Sequence, residues 1–268
     1  TVVTGTILRG TLSTSETVQL SPQGNYSRVR SIQTFSEERT DASAGDRVGL
    51  NVPDVDHNVV RRGNYLAKPN TMPHSRNIIV SLKRNGLYKG RVSKGLILSA
   101  TVGMPTVTAE LVPLRNDTNV MLEVTTESSF KAALLFQEDI PVEIGTRVLL
   151  MRTDLPPAQM RIMGSGEVIE IPEKLVLKRS IHRTGHVSRI REDDVLVVGL
   201  ASSKEIAESL SGSHVQTQRG IKGTLKQPFG TRGVVSVKFE GPVEDSEEVI
   251  YERFVEEEMA FGYRRKAG

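Results

Sequence analysis

The stretch GLILSATVGMPTVTAELVPL (95–114) decides the fold class, because it sets two apolar runs on either side of Gly103 and Pro105. Val, Ile, Leu and Thr supply most of both runs, and side chains branched at Cβ suit a pleated sheet better than a helix. Runs this short, bounded by turn residues, read as strands. The same cadence extends in both directions. RNIIVSL (76–82) precedes it; NVMLEVT (119–125), KAALLF (131–136), TRVLLMR (146–152) and MRIMGSGEVIEI (160–171) follow, with Gly145 and Pro156-Pro157 marking turns. Residues 72–172 therefore read as one β-barrel.

Upstream, TVVTGTILRG (1–10), SETVQLSP (15–22), YSRVRSIQTF (26–35), DRVGLNV (46–52) and RGNYLAKP (62–69) are shorter strands. Their even spacing suits a closed antiparallel barrel over residues 1–71, which removes exposed sheet edges. Downstream, residues 173–268 change character. LVLKRSIHRTG (175–185), HVSRI (186–190), DDVLVVGL (193–200), GIKGTLKQPFG (220–230), GVVSVKF (233–239) and EEVIYERFV (247–255) are strands. SSKEIAESLSG (202–212) reads instead as a short helix near 203–211, with a serine cap, Glu205 near its positive end and Gly212 closing it. The fold class is mainly β: two antiparallel barrels, then a mixed, β-rich C-terminal domain.

Composition agrees. Aromatic residues make up 4% and tryptophan is absent, so aliphatic side chains carry the packing. No cysteine occurs, which excludes disulfides and thiolate metal sites and favours a cytoplasmic protein. No run is long and apolar enough to span a bilayer, and no membrane partner is expected. The chain opens mid-pattern at Thr1-Val2-Val3, which reads as a fragment. The net charge of +3 hides segregation along the chain. Thr71–Ala109 holds six basic residues and no acid, Lys174–Arg191 six more and no acid, and Glu240–Glu258 nine acids against Arg253. Basic stretches of this kind suit phosphates, unless folding mixes the charges again.

The first segment resembles domain II of translational GTPases. Thr4-Gly5-Thr6 with Gly10, RVRSIQ (28–33), AGDRVGLNV (44–52) and RRGNYLAKP (61–69) carry the resemblance, in order. MRIMGSGEV (160–168) resembles the end of that family's domain III. LKRSIHRTGHVSRIREDDVLVVGL (177–200), GTLKQPFGTRGVVSVKF (223–239) and IYERFV (250–255) look like domain IV of the archaeal and eukaryotic selenocysteine-specific elongation factors. The resemblance implies selenocysteinyl-tRNA and the ribosome as partners, in UGA recoding. It makes the SECIS element of the messenger, or the protein that binds it, a candidate partner for domain IV. It also implies that GTP and Mg²⁺ bind in a GTPase domain upstream of Thr1, together with an Asp-His pair of the aminoacyl pocket.

This chain is expected to hold no cofactor and to catalyse nothing. It contains no G-x-x-x-x-G-K-[ST] loop and no Asn-Lys-x-Asp, and the D-x-x-G match at Asp46–Gly49 lies inside a strand. Gly164-Ser-Gly166 lacks a third glycine and reads as a tight strand junction. The family's G-D-R implies that Gly45, Asp46 and Arg47 line the aminoacyl pocket. Selenocysteine is an anion at neutral pH, so a fixed guanidinium favours it over uncharged serine. The alternative is a surface ion pair of Arg47 with Asp46 or Asp41. For nucleic acid the candidates are Lys83, Arg84, Lys89, Arg91 and Lys94 in the second segment. In the third they are Lys178, Arg179, Arg183, His186, Arg189, Arg191, Lys226, Arg232 and Lys238. Lys178, Arg179, Arg183, Arg189 and Arg191 are expected to share one strand face. His182 and His186 are expected across a hairpin at Thr184-Gly185, as polar or phosphate contacts and not as metal ligands. Phe229 could stack on a base, but a phenylalanine at a turn is more often a core plug, and Tyr251, Phe254 and Tyr263 take that same reading. Two other functions fit the pattern: a relative that binds the ribosome without charged tRNA, and an interaction scaffold with no RNA role.

Overall fold

The computed structural model describes residues 1–230 and 233–262. They divide into two compact units, Thr1–Val176 with the described residues from Glu258 onward, and Leu177–Glu257.

The first unit contains two apolar cores. Val18, Leu20, Val29, Ile32, Val48, Leu50 and Val52 form the first. Strand alternation explains their burial: in Thr17–Ser21 and Arg47–Asn51 the residues between them face outward. Hydrogen bonding around this core is shared among three small sheets. Val2–Thr6, Arg47–Asn51, Ser31–Thr34 and Glu37–Arg39 form one, Tyr26–Arg28, Thr17–Ser21 and Tyr65–Ala67 another, and Thr11–Ser13 pairs with Asp41–Ser43. The run YSRVRSIQTF is therefore two strands. Its first half pairs with Thr17–Ser21, and its second passes to Arg47–Asn51 once the Arg30 N–H has donated to Asn51.

The second core lies inside a closed antiparallel barrel. Its strands, in order around the barrel, are His74–Arg84, Ser129–Pro141, Thr106–Leu114, Leu96–Val102, Arg147–Met151 and Ile162–Glu170, the last returning to the first. Ile78, Val80, Ala100, Leu111, Leu134, Phe136 and Leu150 fill it. The glycines of the Gly-Ser-Gly motif belong to this closure. A Cβ on Gly166 would stand 1.8 Å from the Ser81 carbonyl oxygen, so the neighbouring strand comes closer than any side chain allows. NVMLEVT departs from expectation: Val120 and Met121 are buried, yet only Val124–Thr125 forms a strand, paired with Val92–Ser93. The two cores of this unit meet through an Arg9–Glu143 ion pair of 2.8 Å and through Tyr65, which shares a hydrogen bond with the Met104 backbone. Burial pushes the Tyr65 phenol above its ordinary value, against that hydrogen bond.

The second unit is itself a closed barrel. Its strands run Val176–Ile190, Val195–Val198, Val234–Phe239, Lys222–Phe229, His214–Thr217 and Glu248–Glu258 around Val187, Val197, Leu225, Val237 and Tyr251. The helix is Lys204–Ser209: the Ser203 hydroxyl accepts from the Ile206 N–H, Glu205 lies in the first turn, and Ala207 and Leu210 pack on the core. Thr184-Gly185 is not a turn. It lies within one fifteen-residue strand, which Gly185 permits by packing against the Val198 carbonyl. Among the described residues no helix is long and apolar enough to cross a membrane.

Candidate nucleic-acid interface

The turn before Arg47 is fixed by its own backbone. The Gly45 N–H donates to the Ile7 carbonyl at 2.8 Å, and Gly45 sits at φ +99°, a conformation that a Cβ disfavours. Asp46 is occupied locally, its carboxylate accepting from the Ser43 N–H at 2.8 Å. Arg47 then opens a strand, paired with Thr6 and alternating with buried Val48 and Leu50, so its side chain faces solvent. It forms no ion pair among the described residues. Neither Asp46 nor Asp41 neutralises it.

In the barrel of residues 74–170 the basic candidates separate into two sets. Lys83 points outward, opposite Ser129 and Ser165 in the neighbouring strands. It borders an open depression of ≈ 590 Å³ with Ser81, Thr101, Ser165, Glu167 and Arg147. Arg91 is exposed and unpaired among the described residues. The other three are engaged. Arg84 donates to the Gly90 carbonyl at 2.7 Å and lies 5.7 Å from the Tyr88 ring centroid, tying the loop to its strand. Lys89 reaches the Gly86 carbonyl at 3.4 Å, and Lys94 pairs with Glu123 at 3.5 Å. Arg147 escapes a reading of basic runs because it stands alone in sequence; only strand register brings it near Lys83.

In the second unit the charges are partly mixed again by strand pairing. Arg179 meets Glu257 at 2.6 Å, and Arg219 meets Glu244 at 2.9 Å and Glu247 at 2.7 Å. The acids of 240–258 are therefore partners of the basic strands as well as a solvated face. Arg183 donates to the Leu200 carbonyl at 3.0 Å. The expectation of one shared face fails for Lys178: period-two alternation puts it on the side opposite Arg179 and Arg183, and a bulge between Val187 and Arg189 changes the phase once more. His182 and His186 lie outward on that single strand, four residues and about 13 Å apart by strand rise. Among the described residues no three His, Asp or Glu gather as metal ligands.

Lys178, His186, Arg189, Lys226 and Lys238 carry no ion pair among the described residues. Lys238 stands opposite Thr224, which is itself opposite His214. Lys222 and Lys226 are two residues from Thr224 on the same outward face. Sequence reasoning missed Lys222 and His214 as members of this patch, because only the register joins them. Arg232 and Tyr263 lie outside the described residues. Tyr251 is buried, as the core reading has it, whereas Phe254 and Phe229 are exposed. Phe229 is no plug: the Arg191 guanidinium covers its ring at 4.2 Å.

Residues 1–67 match the family model for elongation factor Tu domain 2, and residues 74–172 match that for domain III of the archaeal selenocysteine-specific elongation factor. A selenocysteine-specific elongation factor of Methanocaldococcus jannaschii is 32% identical over 262 residues, 94% of this chain and 55% of its own. Two crystal structures of translation elongation factor SelB from Methanococcus maripaludis also match. The apo form gives 34% identity and a TM-score of 0.71, the form with the GTP analogue GppNHp 32% and 0.74. Each alignment covers 94% of this chain and 58% of the solved one. The chain thus spans little more than half the length of these relatives.

Proposed function

Because the chain belongs to the selenocysteine-specific elongation factor family, we propose that it is the part of such a factor that holds selenocysteinyl-tRNA and delivers it to the ribosome for UGA recoding in the cytoplasm. The observation that carries the reading is Arg47, a cation with no ion pair among the described residues, at a turn locked by Gly45 and Asp46. A selenolate brought to it gains a charge-assisted contact that seryl-tRNA, the precursor on the same tRNA, does not. Lys83 and Arg91 on the barrel of residues 74–170, and Lys178, Arg189, Lys226 and Lys238 on the second unit, carry no ion pair among the described residues and are the cations available to phosphates, with the exposed His186 ring beside them. Such contacts set position and salt dependence without reading sequence. GTP, Mg²⁺ and GTP hydrolysis are assigned to the remainder of the factor. The third barrel is the candidate for the SECIS element or its binding protein.

Protection of the aminoacyl ester from hydrolysis tests this in the intact factor. Arg47→Gln is expected to weaken selenocysteinyl-tRNA binding about tenfold, or more, while leaving seryl-tRNA unchanged. Competition with an ordinary elongator aminoacyl-tRNA, with and without residues 173–268, supplies the counter-case. Equal protection of both tRNAs by the intact factor overturns the proposal.

A further inference from the structure

Phe229 closes the strand Lys222–Phe229, and 45% of it remains exposed. A large apolar ring left in water at a strand end costs free energy unless something covers it. Here one face is covered by a guanidinium, with the Arg191 Cζ 4.2 Å from the ring centroid. Arg191 has no ion pair among the described residues, although Glu192, Asp193 and Asp194 follow it directly in sequence; the Asp194 carboxylate instead accepts from the Ser236 hydroxyl. The cation thus stands over the ring and forms no ion pair with these carboxylates. The result is a guanidinium placed on an aromatic ring that remains partly open to solvent. Arg189, two residues before the arginine, and Lys226, three before the phenylalanine, are exposed and unpaired among the described residues.

We propose that the Arg191–Phe229 pair is a stacking platform for an unpaired nucleobase of a bound RNA, a base subsite beside the phosphate-contacting Arg189 and Lys226. The proposal rests on the RNA-binding reading above and adds the ligand class of one subsite. A base suits the stack on two grounds. Aromatic rings and guanidinium planes are the surfaces on which splayed single-stranded bases lie, and every base offers a π-face. The acids at Glu192 and Asp193 disfavour a phosphate at the same spot, so the contact is to the uncharged part of the nucleotide, with Arg189 and Lys226 available to the flanking backbone. An RNA loop or bulge fits this platform; a regular duplex, whose bases are already stacked, does not.

The test compares two short single strands on the whole chain: an oligoadenosine, and the same ribose-phosphate backbone made wholly abasic. Phe229→Ala is expected to lower affinity for oligoadenosine about tenfold and leave the abasic strand unaffected. Arg191→Lys, which keeps the charge and loses the plane, should lose several-fold on oligoadenosine alone. Phe229→Leu keeps an apolar cover over the strand end and should bind as weakly as the alanine variant with an unchanged urea midpoint. Undiminished oligoadenosine binding by Phe229→Ala, or an equal loss on both strands, overturns the platform. A wild-type chain that binds the two strands equally overturns it too, while leaving the phosphate contacts standing. A chain that binds neither strand nor tRNA overturns the RNA-binding reading itself, and this subsite with it.

Discussion

Arg179 and Glu257 provide the sharpest test of which cations are committed to the fold. Their 2.6 Å ion pair leaves side-chain exposures of 21% and 11%, so both charges are mostly removed from water. Stripping one partner from a fully buried pair costs about 3–5 kcal/mol, whereas an exposed pair contributes about 0–1 kcal/mol. At this intermediate burial, Glu257→Leu, which strands the guanidinium, is expected to cost about 2 kcal/mol. Replacing both charges, in Arg179→Met with Glu257→Leu, should come back to within about 1 kcal/mol of the native chain. With a urea slope of about 1 kcal/mol/M for a unit of this size, the single variant lowers the midpoint of the second unit by about 2 M. Far-ultraviolet circular dichroism reads the transition. The double variant should also bind tRNA with unchanged affinity and salt dependence, since Arg179 is spent on Glu257. A double variant as unstable as the single one, or one that loses tRNA affinity, refutes the assignment of Arg179 to structure.

Other outcomes follow from the same geometry. Gly166→Ala drives a methyl into the Ser81 carbonyl and should cost about 3 kcal/mol or more, or prevent folding, while Gly86→Ala, with nothing within 4 Å, stays within about 0.5 kcal/mol by urea titration. Glu247 is held down to about 2, first by its hydrogen bond with Arg219 and then by a backbone hydrogen bond. A depressed carboxyl contributes stability that is present above its ordinary value of 4.5 and is lost as pH falls toward about 2. The urea midpoint of the second unit should therefore decline across that acid range, and Arg219→Met should flatten the decline. Lys226→Gln and Lys238→Gln should each reduce the slope of log affinity against log salt by about 0.9 in filter binding to tRNA, and Arg84→Gln should not, because its guanidinium is turned to the loop carbonyls.

Much of this was legible from period and punctuation. Val18 and Leu20, Val48 and Leu50, and Leu98, Ala100 and Val102 are buried at the alternate positions that a pleated strand requires. The helix could be read from Ser203 and Glu205, since capping is a local event. Strands without apolar alternation were not legible: Glu37–Arg39 is exposed along its length and exists only because Ser31–Thr34 is beside it. Val176–Ile190 reads as two strands in sequence because Thr184-Gly185 has turn composition, and the packing against Val198 that explains the glycine is not local. The site was least visible in its charges. Arg179 and Glu257 are 78 residues apart, and no run of basic letters distinguishes the arginine that register delivers to an acid from the lysine it leaves free. Phe229 shows the same limit, since its fate depended on whether Arg191 reached it.

The phenol of Tyr65, wedged beside Gly103 and Met104 where the first two cores meet, has a practical consequence. With no tryptophan to dominate the ultraviolet spectrum, tyrosine ionisation becomes this molecule's optical voice. Partial burial raises the Tyr65 phenol above its ordinary value. Any event that loosens that seam, whether strain from a docked cargo or the breaking of Arg9 from Glu143, would advance its alkaline absorbance change. Tyr65, one of five tyrosines, thus contributes a label-free signal of the seam between the first two cores.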